Sequence, residues 1–231
     1  MTIGTSSPRG PRAVSGAPRS GSRTQAERRA ASERRLLRVT AELIAQRGTS
    51  TVGFGEIAKA AGCSHGLPSY LFGTKAGLLQ ALLNDFLRRF RSEALEPAVR
   101  GATGLHALLI AARVFLDGLE RPWAETRAVY VLQGEALGST AELQAALADY
   151  NVTLRAMAEA WIVEGIAEGD IRPEVKPDVG AALILGALRG VGHQYVTDPF
   201  AFDLGALTVG VLDSLTRSLA VEPGKWLSGR C

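Results

Sequence analysis

The chain is poor in cysteine: Cys63 and Cys231 are its only two, too few for a disulfide framework or a thiolate metal site. Histidine is equally scarce, and His65, His106 and His193 lie too far apart to share metal-ligand spacing. No metal and no cofactor is expected. The longest apolar run, residues 179–188, is far short of a membrane span and is bounded by Asp178 and Arg189. No apolar core follows the first arginines, so a signal peptide is not expected and a reducing cytoplasm is the expected compartment. Alternating apolar and polar stretches of useful length are missing too, so no strand pattern competes with a helical reading.

What is present is a globular composition with an uneven charge. Hydrophobic residues make up 46% and charged residues 21%, enough for a real core. The net charge is +3, yet residues 1–38 carry nine arginines against Glu27 and Glu33, a net of +7, which leaves −4 for the rest. A basic end on a mildly acidic body suggests a polyanion for that end alone. Residues 1–25 are rich in Pro, Gly, Ser and Arg with almost nothing to bury. They are expected to be disordered, either as a solvated tail or as a basic arm that touches phosphates.

From Ala26 the periodicity is helical, and the fold class expected is all-α with about nine helices. Leu36, Val39, Leu43 and Ile44 form one stripe, stopped by Gly48. "FGEIAKAA" reads as a short helix, "GCS" as a tight turn with Ser64 capping the next helix, and Gly73-Thr74 as a stop and a cap. One long helix is expected over 75–96, ended by Pro97. Further helices are expected over 105–119, 123–137, 141–168, 177–197 and 203–219. The boundaries that follow are a tail (1–25), a first domain (26–76, motif about 53–72), a second domain (77–220) and a C-terminal tail (221–231).

The stretch "AGCSHGLPSY" carries the chemistry, and it fits two patterns. Gly62-Cys63-Ser64-His65-Gly66 matches the G-x-S-x-G elbow of serine hydrolases, with Asp117 and His193 downstream as partners. An elbow needs a buried strand before the serine, and Glu56 to Ala61 is instead a helix former. A helix-turn-helix uses every residue: Ala58 is small where two helices cross, Gly62 allows the turn, and Cys63 fills the gap beneath it. Burial as a small apolar residue also accounts for Cys63 better than a redox role. "GALRGVG" likewise lacks the strand that a dinucleotide loop requires, and helix packing accounts for its glycines.

With these residues in place, "IAKAAGCSHGLPSYLFGTKAGLLQAL" resembles the N-terminal domain of the TetR (tetracycline-repressor-like) family of transcriptional regulators. Ile57, Ala58, Ala61, Gly62, Ser64, Phe72, Lys75 and Leu78 meet the family pattern, and the similarity covers about residues 33–93. Departures are His65 for a usual Lys or Arg, Leu67 for Thr or Ala, Pro68 inside the short helix, Ser69 for Tyr, and Val52 for a capping Thr. The resemblance implies a non-enzymatic homodimeric repressor on palindromic double-stranded DNA, with helix 65–71 in the major groove. Thr51, Ser64, His65, Gly66, Leu67, Ser69, Tyr70 and Lys75 are the implied DNA-facing set. Within it, Tyr70, Lys75 and Thr51 face phosphate, and Leu67 faces a thymine methyl.

It further implies a cavity for an unknown small effector, for which Phe115, Trp123, Arg127, Tyr130, Met157, Trp161 and His193 are the candidates. Leu185, Gly186, Arg189 and Gly190, with Leu204, Leu207, Val211 and Leu215, are the candidates for a dimer interface built as an intermolecular four-helix bundle. Two other readings stay open here: a regulator that responds to a protein partner, and a hydrolase using Ser64.

Overall fold

The computed structural model describes residue 1 and residues 24–120, 123–137 and 141–227, with the side chains of residues 123, 141 and 142 excepted. The expected tail up to residue 23, the side chain of Trp123 and Cys231 therefore lie outside the described residues. In order, the elements are α1 (Gln25–Arg47), α2 (Phe54–Ala61), α3 (Leu67–Phe72), α4 (Lys75–Arg89), a π-helical turn (Phe90–Leu95) and α5 (Glu96–Ala98). There follow α6 (Gly104–Asp117), a 3-10 turn (Gly118–Glu120), α7 (Trp123–Glu135), α8 (Ala141–Glu168), α9 (Pro177–Thr197), α10 (Leu204–Leu219) and α11 (Pro223–Leu227). Nine of these α-helices have six residues or more. No strand occurs among the described residues, where the one extended contact is an isolated bridge between Ile171 and Ala220.

Local chemistry sets the helix ends. Thr24 and Glu27 form a reciprocal capping box at the start of α1: the Glu27 N–H donates to Thr24 Oγ1 at 3.2 Å, and the Thr24 N–H donates to Glu27 Oε2 at 2.8 Å. Thr74 caps α4 by accepting from the Gly77 N–H at 3.0 Å, and Asp203 caps α10 from both Gly205 and Ala206.

Two expectations need correction. Ser64 does not cap α3 with its side chain; the N-cap is Gly66, and the Leu67 N–H bonds to the Ser64 carbonyl at 3.1 Å. Pro68 sits in the first turn of α3, so the helix starts two residues later than expected. The single helix expected over 75–96 is instead α4 followed by a π turn, and Pro97 lies inside α5. Proline has no N–H and its ring crowds the carbonyl four residues back. The preceding turn is widened, so that the Glu96 N–H reaches the Arg91 carbonyl five residues back.

Two apolar clusters hold the chain. The first joins Leu36, Ile44, Ile57, Leu78 and Leu83 of α1, α2 and α4 to Leu132 of α7 and Leu147 of α8. The second gathers Leu105, Leu116, Ile162, Ile171 and Leu188 from α6, α8, α9 and the segment after α8. The helix-turn-helix thus shares its core with α7 and the first half of α8, so a change in those helices reaches it through packed side chains.

Candidate functional site

The turn between α2 and α3 is built on Gly62, which adopts φ 58° and ψ 46°, a left-handed conformation that glycine takes without strain. The Gly62 N–H bonds to Lys59 at 3.1 Å and the Cys63 N–H to Ala58 at 3.0 Å, closing α2. Cys63 is half-buried against the first core, as are Leu67, Leu71 and Phe72. With the inner face of the short helix fixed, the turn leaves Ser64, His65 and Gly66 exposed to solvent, and the helix leaves Ser69 and Tyr70 so. The His65 ring lies over Gly55 at the start of α2, where an added Cβ would stand 2.8 Å from Nε2. The Ser69 hydroxyl donates to the Gly66 carbonyl at 3.0 Å. Tyr70 is 73% exposed, with the Arg29 guanidinium carbon 5.6 Å from its ring centroid. Arg35 reaches over the turn at Gly62, so α1 places two cations beside the exposed residues.

The remaining residues of the expected DNA-facing set stand differently. Thr51 and Lys75 are exposed. The Thr51 hydroxyl donates to the Arg47 carbonyl at 3.3 Å, and Lys75 Nζ donates to the Thr49 carbonyl. Leu67 is half-buried, so only part of it is open to a base edge. Before Ser64 stands helix α2, where a hydrolase elbow needs a strand.

Thr49 is a junction the sequence reading missed. Its N–H donates to Glu135 Oε1 at 3.1 Å and its hydroxyl donates to Oε2, while its carbonyl accepts from Lys75. Glu135 is the last residue of α7, where a carboxylate is opposed by the helix dipole, so these bonds must outweigh that term. Arg127, expected in the cavity, instead donates from Nε to the Ala45 carbonyl of α1 at 3.0 Å. Helix α7 is thereby clamped to the end of α1 and, through Thr49, to the start of α4. Glu135→Ala should cost roughly 1–3 kcal/mol of stability, read as a fall in urea midpoint. A double-mutant cycle with Thr49→Val should return a coupling of about 0.5–3 kcal/mol, and simple additivity would refute the clamp.

Three spaces open between the helices of the second half. A cleft of about 540 Å³ is walled by Phe86, Arg89, Phe90, Glu93, Asp117 and Glu125. A hollow of about 60 Å³ is lined by Phe90, Phe115, Leu154, Met157, Trp161 and Leu188, among others. A second, of about 50 Å³, is lined by Phe90, Phe115, Tyr130, Tyr150, Leu154 and Arg189, among others. The structure therefore brings together Phe115, Tyr130, Met157 and Trp161 around two adjoining hollows. His193 is exposed, and its ring meets Tyr130 edge-on at 6.3 Å. Burial pushes the Tyr130 hydroxyl well above its usual range and that of Tyr150 up to about 12, so both stay neutral donors.

The residues expected at a dimer interface divide by helix face. Gly186 and Gly190 are exposed beside Leu183, which is 69% exposed, and Val179. Val209 of α10 is exposed as well. Leu185 and Arg189 line the hollows. Leu204, Leu207 and Val211 are half-buried, and Leu215, only 8% exposed, is a core residue of its own chain.

Among the described residues no helix is long and apolar enough to cross a membrane, and no cluster of potential metal ligands occurs. Residues 36–82 match the model of a family described as bacterial regulatory proteins, tetR family. No curated protein sequence matches significantly. Among solved structures, one from Rhodococcus sp., assigned to the TetR-family transcriptional regulators, is 25% identical with a TM-score of 0.70, over 82% of this chain and 100% of that one. NalD of Pseudomonas aeruginosa, the secondary repressor of the MexAB-OprM multidrug efflux pump, is 20% identical with a TM-score of 0.69, over 85% and 99% of the two chains. FadR of Bacillus subtilis, solved in complex with stearoyl-CoA, is 22% identical with a TM-score of 0.70, over 80% and 98%. The helix-turn-helix, the family match across it and the shared fold agree: residues 36–82 form a DNA-binding domain of the kind described for the tetR family of bacterial regulatory proteins, and the chain as a whole shares the fold of TetR-family transcriptional regulators.

Proposed function

We propose that the protein is a homodimeric cytoplasmic repressor that leaves a palindromic operator when a small, largely apolar ligand enters the second domain. The observation that carries this reading is α3: its apolar residues are spent on the core, and its polar and aromatic ones face solvent beside Arg29 and Arg35. The exposed small and apolar stripe of Val179, Leu183, Gly186 and Gly190 on α9 supports pairing with a second copy. One helix-turn-helix reads few bases, and two half-sites multiply the discrimination. The adjoining hollows support an effector site, and α7, shared by the hollows and the Thr49 clamp, supports communication with the DNA-reading end. On this reading residues 26–76 act on DNA and residues 77–220 on ligand and partner.

The test is binding to the intergenic DNA beside its own gene, with excess nonspecific competitor and at two salt concentrations. A saturable complex of two chains per duplex is the expected result. Competitor that strips the protein from that DNA, and from duplexes enriched by random selection, would overturn the reading.

A further inference from the structure

Two partly buried arginines in the second half are treated in opposite ways. Arg89 on α4 is held by Asp85 at 2.9 Å and Glu125 at 2.7 Å. Burial pulls its pKa down, and those two carboxylates outweigh it. Arg189 on α9 makes no ion pair with any described residue, and its Nη2 is buried with no hydrogen-bond partner. Burial pulls its pKa down, against the opposing influence of Tyr150 and Tyr130, and nearby Arg155 adds a like charge. Its guanidinium stands over the Tyr150 ring, whose centroid lies 5.6 Å away. The Tyr130 hydroxyl is buried without a partner as well, and both groups line the 50 Å³ hollow. A buried guanidinium nitrogen and a buried phenol hydroxyl, both able to donate and both unanswered, are a defect in a finished core and a fitting arrangement for an acceptor from outside.

We infer that Arg189 and Tyr130 form the head of the effector site, and that the effector is an apolar monocarboxylate. The acceptor must be anionic, because a neutral one would leave the guanidinium charge unbalanced beside Arg155. Its body must be hydrocarbon, because the adjoining 60 Å³ hollow is walled by Phe115, Leu154, Met157 and Trp161. Phe90, Phe115 and Leu154 line both hollows, so shifting these side chains joins them into one slot. A single negative charge is favoured, because the 540 Å³ cleft that shares Phe86, Phe90 and Gly118 with the head carries Glu93, Asp117 and Glu125 against Arg89 alone. Phosphate-bearing ligands meet that acidic mouth at a disadvantage.

The inference rests on the ligand-responsive reading, and its test is run without DNA. Octanoate and 3-phenylpropanoate are titrated calorimetrically into the full-length protein, alongside octanamide and 3-phenylpropanamide. At least one acid is expected to bind tenfold or more tighter than its amide. Arg189→Met should erase that preference and raise the Tm of the unliganded protein, since an unpaired buried charge is removed. Tyr130→Phe should weaken the acid severalfold and leave the amide less affected.

Equal binding of acid and amide, binding of neither, or a preference that survives both substitutions would overturn the proposal. So would a fall in Tm for Arg189→Met, which would mark Arg189 as structural. Failure of that variant to fold would count the same way. A protein that selects acids but binds no specific DNA would strike the regulator reading and leave this one standing, and the converse result would do the reverse.

Discussion

Replacing Tyr70 with alanine is expected to weaken operator binding by about 10²–10⁴-fold while leaving the fold intact. The ring is 73% exposed, and its contact within the chain is with the Arg29 guanidinium on the neighbouring helix. Exposed positions of this kind usually change stability by within about 0.5 kcal/mol, so thermal unfolding of the variant should match the parent. The DNA side is different. A hydroxyl donating to a charged phosphate oxygen is worth roughly 1.5–3 kcal/mol, and the proposed dimer would make the contact twice. Each 1.4 kcal/mol is about tenfold in affinity, which gives the range above.

Salt dependence separates the roles of the two residues. Tyrosine carries no charge, so Tyr70→Ala should lower affinity without altering the slope of log K against log salt. Arg29→Ala removes one cation per half-site and should reduce that slope by about two. Tyr70→Phe isolates the hydroxyl and should account for most of the loss. Unaltered operator affinity in Tyr70→Ala would remove the residue from the interface and reduce the aromatic to a cover for Arg29.

The first half of the chain was readable because each signal there is local. Capping residues, a glycine in a left-handed turn and a stripe at 3.6-residue spacing are all written within a few positions of where they act. The failures share a cause as well. Ser64 has the right chemistry for a cap, but Pro68 is pre-set for the first turn of a helix and shifted the start. Pro97 read as a terminator, whereas the chain widened one turn and carried on.

Helix α9 carries no such local signal. "ALILGALRGVG" is apolar on every side, so periodicity cannot say which face is inside. In the fold Ile184, Leu188 and Tyr195 point inward, and Leu183, Gly186 and Gly190 outward. That rotation moves Arg189 from an expected interface to the wall of a hollow. Thr49 and Glu135 are 86 positions apart, and nothing local in either residue announces the other.

Gly165→Val is expected to cost at least about 3 kcal/mol, more than any surface change in the molecule, because helices α6 and α8 touch there by their backbones. A Cβ on Gly165 would lie 3.0 Å from the Leu105 amide nitrogen and 2.7 Å from Ile171 Cδ1. The isoleucine tip can yield, but the amide cannot. Across the contact stands Gly104 at φ 48°, whose own Cβ would fall 2.7 Å from the Gly165 Cα and whose N–H donates to Glu164 at 3.0 Å. Leu105, Ile162 and Ile171 beside this crossing are fully buried, so the two helices cannot separate without opening the second core.

The sign of the effect is diagnostic. Glycine inside a helix is ordinarily a liability of about 0.5–1 kcal/mol relative to alanine. At Gly134 of α7, where nothing lies within 4 Å of an added Cβ, alanine should therefore stabilise. At Gly165 the same change should destabilise by about 1–3 kcal/mol, and valine by more. For a chain of this length 3 kcal/mol corresponds to a fall of about 6–12 °C in Tm, measured at one fixed protein concentration so that dimerisation does not intrude. If alanine at Gly165 raised the Tm as alanine at Gly134 does, the backbone contact between α6 and α8 would not exist as described. The hollows beside Phe115 and Trp161, which those same helices wall, would then need another geometry.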